Sequence, residues 1–243
     1  LKVVHTESKT PTIKPFLKTA DELDLRTAYE RKMPNFKKLS IFAGLQLVAP
    51  LFPADLVANK DTDLVLNRLD GTAVNDFTPA NRKYHLTDAF SPMVFKQLVG
   101  AALVPMEQAL ANMTVKLALA GQEVWASGYT AADDKTTAPF ELKELQDFKQ
   151  VGLQIEVELG GKVAPQLSYA FRLELMLPFY TDIDTGKLGG FDLMNADLSF
   201  KLGLKLSSWA SLDYLFSAKR MPLIVNQWQV VNNLVLSITA NIL

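Results

Sequence analysis

Hydrophobic and polar residues alternate with period two along most of the chain. From Leu167 to Phe179, residues Leu167, Tyr169, Phe171, Leu173, Leu175, Leu177 and Phe179 fall on one face. Ser168, Ala170, Arg172, Glu174 and Met176 fall on the other. A helical step of about 100° would scatter these residues round the axis, so the segment reads as a strand. The same alternation predicts strands over Leu39 to Leu51, Met113 to Gln122, Gln150 to Leu159, Met194 to Leu206 and Asn233 to Ile242. Several persist for roughly twelve residues or more, where strands of globular proteins run about 5–6. A tilted strand of ~9–11 residues crosses a bilayer.

Alternation alone serves two architectures. In a soluble sandwich or lipocalin-like barrel the apolar face fills a core and the polar face meets water. In a transmembrane barrel the apolar face meets lipid and the polar face lines the lumen. Strand length and repetition favour the second.

The connections alternate in length. Arg31 to Asn35, Pro105 to Ala111, Gly160 to Pro165 and Ser207-Ser208 are short. Pro53 to Ser91 and Gly128 to Gln146 are long, and Thr181 to Asp192 and Ser217 to Gln227 are intermediate. Short turns at one end and longer loops at the other match outer-membrane barrels, whose short turns are periplasmic and whose long loops are extracellular. Residues 53–91 then form a long extracellular loop region within a single barrel over 1–243. If the last strand, from about Trp228, ends in the periplasm, so does the strand from Ala20 to Arg31. That strand needs an upward neighbour, for which only Leu1 to Glu7 is available before the proline-containing connection Ser8 to Thr19. The expectation is about ten strands in this chain, the first cut short, and about twelve in a barrel with its beginning in place.

Composition sharpens this reading. The chain has 243 residues, 49% hydrophobic and 21% charged, with net charge -1 and no cysteine. Mean hydropathy is +0.09, yet no apolar run reaches the ~18–20 residues of a membrane helix. Apolar side chain spread over one face of many strands accounts for both. The absence of cysteine excludes disulfide scaffolds and cysteine-based zinc sites. The near-neutral charge argues against a nucleic-acid partner.

The polar register carries Lys116, Glu156, Glu158, Arg172, Glu174, Asp197, Lys201, Lys205 and Asp213. These are the candidate lumen-facing residues, with a structural role or a channel role. Buried charge needs partners or water, and long side chains of both signs would largely fill a narrow bore. The expectation is a closed or very narrow lumen. Trp125, Tyr129, Tyr180, Trp209, Tyr214 and Trp228 lie near the ends of alternating segments, where amphipathic rings sit at headgroup level.

Catalytic signals are poor. Of the two histidines, His5 and His85, the second lies near Asp88 and Ser91. A Ser-His-Asp set is recognised by geometry, however, and an exposed loop histidine is the blander reading. Asp182-Ile183-Asp184-Thr185-Gly186 looks like the start of a calcium loop but lacks the distal ligands, so it reads as a turn. Asp133-Asp134 reads as solvated surface. No catalytic, metal or cofactor site is expected, and the chain is not read as an enzyme.

Several stretches resemble a Gram-negative family of uncharacterised outer-membrane β-barrels. They are Lys9 to Leu23 (KTPTIKPFLKTADEL), Phe90 to Gln97 (FSPMVFKQ), Ser208 to Tyr214 (SWASLDY), Arg220-Met221-Pro222 and Trp228 to Leu234 (WQVVNNL). The resemblance spans nearly the whole chain and implies strands before Leu1. It implies no activity and no functional residue. The chain ends in Leu243, where many such barrels end in an aromatic residue. Together these observations predict an all-β, antiparallel up-and-down transmembrane barrel in a bacterial outer membrane. Its expected role is structural or partner-binding, the alternative being a small porin-like passive channel for ions or small solutes. The expected partners are membrane lipids, lipopolysaccharide and an envelope protein bound through the extracellular loops.

Overall fold

The computed structural model describes residues 2–7, 18–132, 139–186, 188–207 and 209–238. In chain order the strands are β1 (Lys2–Glu7), β2 (Lys18–Met33), β3 (Phe36–Pro50), β4 (Ala54–Val57), β5 (Thr62–Asn67), β6 (Ala73–Thr78), β7 (Lys83–Thr87), β8 (Met93–Glu107), β9 (Asn112–Trp125), β10 (Tyr129–Ala131), β11 (Phe140–Glu144), β12 (Phe148–Ala164), β13 (Leu167–Thr181), β14 (Asn195–Lys205), β15 (Ala210–Met221) and β16 (Val225–Ile238). One short 3-10 turn, Gly190–Leu193, precedes β14.

Ten strands form a single antiparallel sheet in the order β1-β2-β3-β8-β9-β12-β13-β14-β15-β16. The order follows the chain once two excursions are set aside, so the sheet is a meander. Residues 34–35, 108–111, 165–166 and 206–209 make the short connections at one end, the turn end. Residues 51–92, 126–147, 182–194 and 222–224 connect strands at the other, the loop end. Gln108 and Ala111 exchange backbone hydrogen bonds of 3.0 and 3.1 Å and tighten one turn. Among the described residues no ladder joins β1 to β16, so they show no barrel closure.

The alternation sets which residues face which side, and the exposures are inverted relative to a water-soluble protein. Leu117, Leu119 and Leu153 are 55%, 53% and 52% exposed, whereas Gln122 and Glu174 on the opposite face are 1% and 3% exposed. Apolar residues coat the outside, and polar residues are enclosed.

Enclosure requires strong curvature. Lys96 on β8 lies in the same row as Gln122, Gln150 and Thr181 on the next three strands, and Glu174 lies seven residues further along β13. On a flat sheet, with strands ~4.8 Å apart and residues ~3.4 Å apart, the two positions would stand roughly 25–30 Å apart. Their side chains nevertheless form an ion pair. Arg26 on β2 also interacts with Glu156 and Glu174, although four strands of the sheet lie between β2 and β13. The sheet is therefore rolled about its polar face. Small inward residues (Ala102, Ala118 and Ala120, all buried) leave room for the long charged side chains opposite.

The connection over 53–91, expected as a polar loop, is itself folded. Strands β4 and β7 pair with each other, and β5 and β6 join β10 and β11 in a four-stranded sheet of order β10-β11-β5-β6. β11 pairs with β5 in parallel, so the two excursions fold together. Their shared core is Leu56, Leu64, Leu66 and Leu142, with Val74, Tyr84, Leu86, Tyr129 and Phe140 packed against it. Gly128 permits the close approach at one join: its φ is +94°, and a Cβ there would sit 2.1 Å from the Leu86 carbonyl oxygen.

Between this assembly and the rolled sheet lies a second apolar cluster. It contains Val94, Val124, Phe148, Leu193, Leu223 and Ile224, with Val48 and Val225 against it. These residues come from the loop ends of β3, β8, β9, β12 and β16 and from two connections. The loop end of the rolled sheet is thus filled by a hydrophobic plug.

Candidate functional site: a charged lumen sealed at the loop end

The alternation of β9, β12 and β13 aims Lys116, Glu156, Glu158, Arg172 and Glu174 inward, and the structure brings all five together. Lys116 Nζ lies 3.2 Å from Glu156 Oε1 and 3.6 Å from Glu158 Oε1. Arg172 Nε lies 3.1 Å from Glu156 and 3.8 Å from Glu158, while its Nη2 lies 2.8 Å from Glu174 Oε2. Lys96 completes the pairing of Glu174. Lys201 pairs with Asp213 at 3.1 Å, and Lys219 with Asp197 at 3.9 Å. Lys205 is exposed at the turn end and has no carboxylate partner among the described residues.

The pairing follows from desolvation. An enclosed carboxylate costs several kcal/mol unless opposite charge and hydrogen bonds surround it. Glu174 meets this with two cations, and Glu156 with Lys116 and Arg172. Sequence reasoning missed Lys96 because the inward face of β8 is otherwise apolar or small: Val94, Leu98, Gly100 and Ala102. It also missed Arg26, whose guanidinium is held by Asp24 at 2.7 Å.

Above the charges, toward the plug, the lumen is filled by amides. Gln150 Oε1 accepts from Gln122 Nε2 at 3.3 Å and from Asn195 Nδ2 at 2.9 Å. Toward the turn end the inward face opens: Ala170, Lys201 and Lys205 are exposed. From loop end to turn end the order is apolar plug, amides, ion pairs and open mouth.

Trp125, Tyr180 and Trp228 are exposed near the loop end of the sheet, and Trp209 and Tyr214 nearer the turn end. Tyr129 is placed differently from the expectation. It belongs to β10 of the small four-stranded sheet and packs into that sheet's core. Its position near a segment end reflected a short strand in the excursion, not the rim of the large sheet.

The loop-end assembly explains the remaining motifs. His85 Nδ1 faces Asp55 at 3.3 Å and Nε2 faces Asp88 at 3.1 Å. Ser91 Oγ donates to the Ser127 carbonyl at 2.9 Å and accepts from the Ser127 N–H at 2.8 Å. Both imidazole nitrogens thus face carboxylates, and no Ser-His-Asp relay is assembled. The Tyr84 hydroxyl donates to Asp76 at 2.7 Å. Burial, then that hydrogen bond, push its pKa up to about 12. Asp182 accepts from the Lys149 N–H and ties the end of β13 to the start of β12, and Asp184 accepts from the Gly186 N–H and caps its own turn. Asp133, Asp134 and Leu243 lie outside the described residues.

With this geometry in hand, comparison with protein-family models, with characterised proteins and with solved structures returned no match.

Two outcomes are expected. Glu174→Ala leaves Lys96 and Arg172 without their shared carboxylate and should destabilise the fold by about 3–5 kcal/mol in a denaturant titration. Adding Lys96→Met to Glu174→Met should restore much of that loss, since an apolar pair removes the unpaired charge. For His85, the bond to Asp55 and then that to Asp88 raise the pKa above its ordinary value. Charge pairing should therefore hold β4 and β7 together fully below the ordinary histidine pKa of about 6.5 and be lost as pH rises through the raised value. An NMR titration should show His85 titrating above a free histidine. Asp55→Asn with Asp88→Asn should bring it back.

Proposed function

We propose that the chain is an integral bacterial outer-membrane protein whose rolled ten-stranded sheet is a transmembrane β-barrel, closed in the bilayer, with a structural or partner-binding role. The observation that carries this reading is the inverted distribution of side chains. In water each exposed Leu, Ile or Val forgoes about 1.5–3 kcal/mol of burial. In lipid the same face is matched to its surroundings, and the enclosed ion pairs are shielded from it. Nine of the ten sheet strands are 11 to 17 residues long, enough to cross a bilayer when tilted, which takes ~9–11. Inside lipid every backbone N–H and C=O must be paired, which is the reason to expect closure at the edge strands.

Short turns at one end and folded excursions at the other orient the barrel, turn end in the periplasm and loop end outside. The exposed rings near both ends suit the two interfaces, with lipopolysaccharide as the outer contact. The small β-assembly is the natural place for an envelope protein to bind, because binding residues concentrate on connections held by a rigid scaffold. The resemblance to uncharacterised Gram-negative barrels accords with this proposal.

The plug and the ion pairs favour a non-conducting lumen over the passive-channel alternative. In planar bilayers the full chain should give no steady conductance. Reproducible single-channel steps that change with Lys201→Glu would favour the channel instead.

A further inference from the structure

Of the two ends of the rolled sheet the loop end is filled by the apolar cluster and the turn end is open among the described residues, and this mouth has a distinctive charge. Lys32 on β2 pairs in register with Ser40, whose side chain is enclosed, and Lys38 on β3 lies two residues before Ser40 on the same face. Lys162 on β12 pairs with Ser168, on the register of Arg172 and Glu174. Lys205 on β14 shares the register of Lys201. All four are exposed. None has a carboxylate partner among the described residues; Lys38 Nζ donates only to the Pro105 carbonyl, at 2.9 Å. Of the acids at this end, Asp213 holds Lys201 and Glu30 accepts from the Ser40 hydroxyl, while Glu107 pairs in register with Asn112 on the inward face of β9 and is exposed. The four lysines thus outnumber the two carboxylates left without a cation among the described residues, Glu30 and Glu107. The chain as a whole is -1, so this is segregated charge and not a basic excess.

We propose that this mouth binds an acidic peptide segment of a partner protein, which enters or caps the cup. Four ammoniums on four strands, against the carboxylates of Glu30 and Glu107, leave a net positive field at the opening of a low-dielectric cup, which focuses anions toward it. Lysines are hydrated point charges and not a preorganised fork. Those on β3 and β12 stand three strand spacings apart, about 14 Å along the sheet. One small anion cannot satisfy all four, whereas an extended chain of carboxylates can. The inward register turns these lysines away from the bilayer, unlike Arg31 and Lys37 on the outward register of β2 and β3. Bilayer headgroups are therefore not the occupant. Among the described residues the one exposed ring on their register is Phe36, two residues before Lys38, where a stacking site for single-stranded nucleic acid lines up several rings.

The proposal rests on the rolled, one-ended lumen and uses the membrane reading only to place its mouth in the periplasm. The test is fluorescence anisotropy of a labelled hexaglutamate peptide with the full chain in a neutral detergent. Binding should appear at low salt and fade at high salt. Lys32→Gln, Lys162→Gln and Lys205→Gln together should weaken it by roughly tenfold. Lys205→Glu alone should weaken it measurably, and Arg31→Gln with Lys37→Gln should leave it unchanged. No binding at low salt overturns the proposal. So does equal loss in the outward pair of variants, competition by inorganic phosphate at equal charge, or tighter binding of a single-stranded oligonucleotide. Lysine-dependent binding by a chain that fails to enter bilayers would leave this site standing and remove the membrane reading alone.

Discussion

The enclosed ion pairs are the constraint on which the rest of the structure depends. Glu174 and Glu156 sit almost out of reach of solvent and need cations to stay there. Lys116 and Arg172 come from adjoining strands, but two further cations come from strands that are not neighbours in the sheet: Lys96 from β8 and Arg26 from β2. Only a rolled sheet brings them within range. Once the polar register is turned inward, strand geometry forces the alternate register outward. The apolar coat and the charged lumen are then two consequences of one curvature. Charges of both signs converge on the bore, so the interior can be filled without net charge.

The loop end is organised differently. There the sheet does not simply stop, because residues from β3, β8, β9, β12 and β16 meet in an apolar plug. The hydrophobic effect closes this end, as charge pairing fills the middle. The small β-assembly above it draws strands from two excursions and joins them through a parallel pairing of β5 with β11. This coupling ties the β3–β8 connection to the β9–β12 connection. Lys143 adds a link by donating to the Leu223 carbonyl in the β15–β16 turn at 3.5 Å.

Long strands were legible because period two repeats often enough to outweigh any other pattern. Arg172, Glu174, Lys201 and Asp213 could be assigned to the inward register from β13, β14 and β15, and the structure keeps them there. The short strands were not legible. β4 spans four residues and β10 three, too few for a period to show. The partner that orders them lies in another connection, a relation no local pattern carries. Leu223 and Ile224 are apolar residues in a turn, so their burial depends wholly on what folds over them. Lys96 was hidden by an inward face otherwise free of charge. Which charges would meet across the lumen was likewise beyond local pattern, since that depends on how tightly the sheet rolls.

The central claim is that the apolar face of the rolled sheet is a lipid-facing surface. It is tested most directly by quenching the intrinsic fluorescence of Trp125, Trp209 and Trp228 in vesicles of brominated phospholipid. All three are exposed, Trp125 and Trp228 on the sheet near its loop end and Trp209 in the connection before β15 at its turn end. The expected result is strong quenching by bromine in the lipid and weak quenching by an aqueous quencher. A chain that stays monomeric without detergent, with tryptophans open to the aqueous quencher and untouched by brominated lipid, would contradict it.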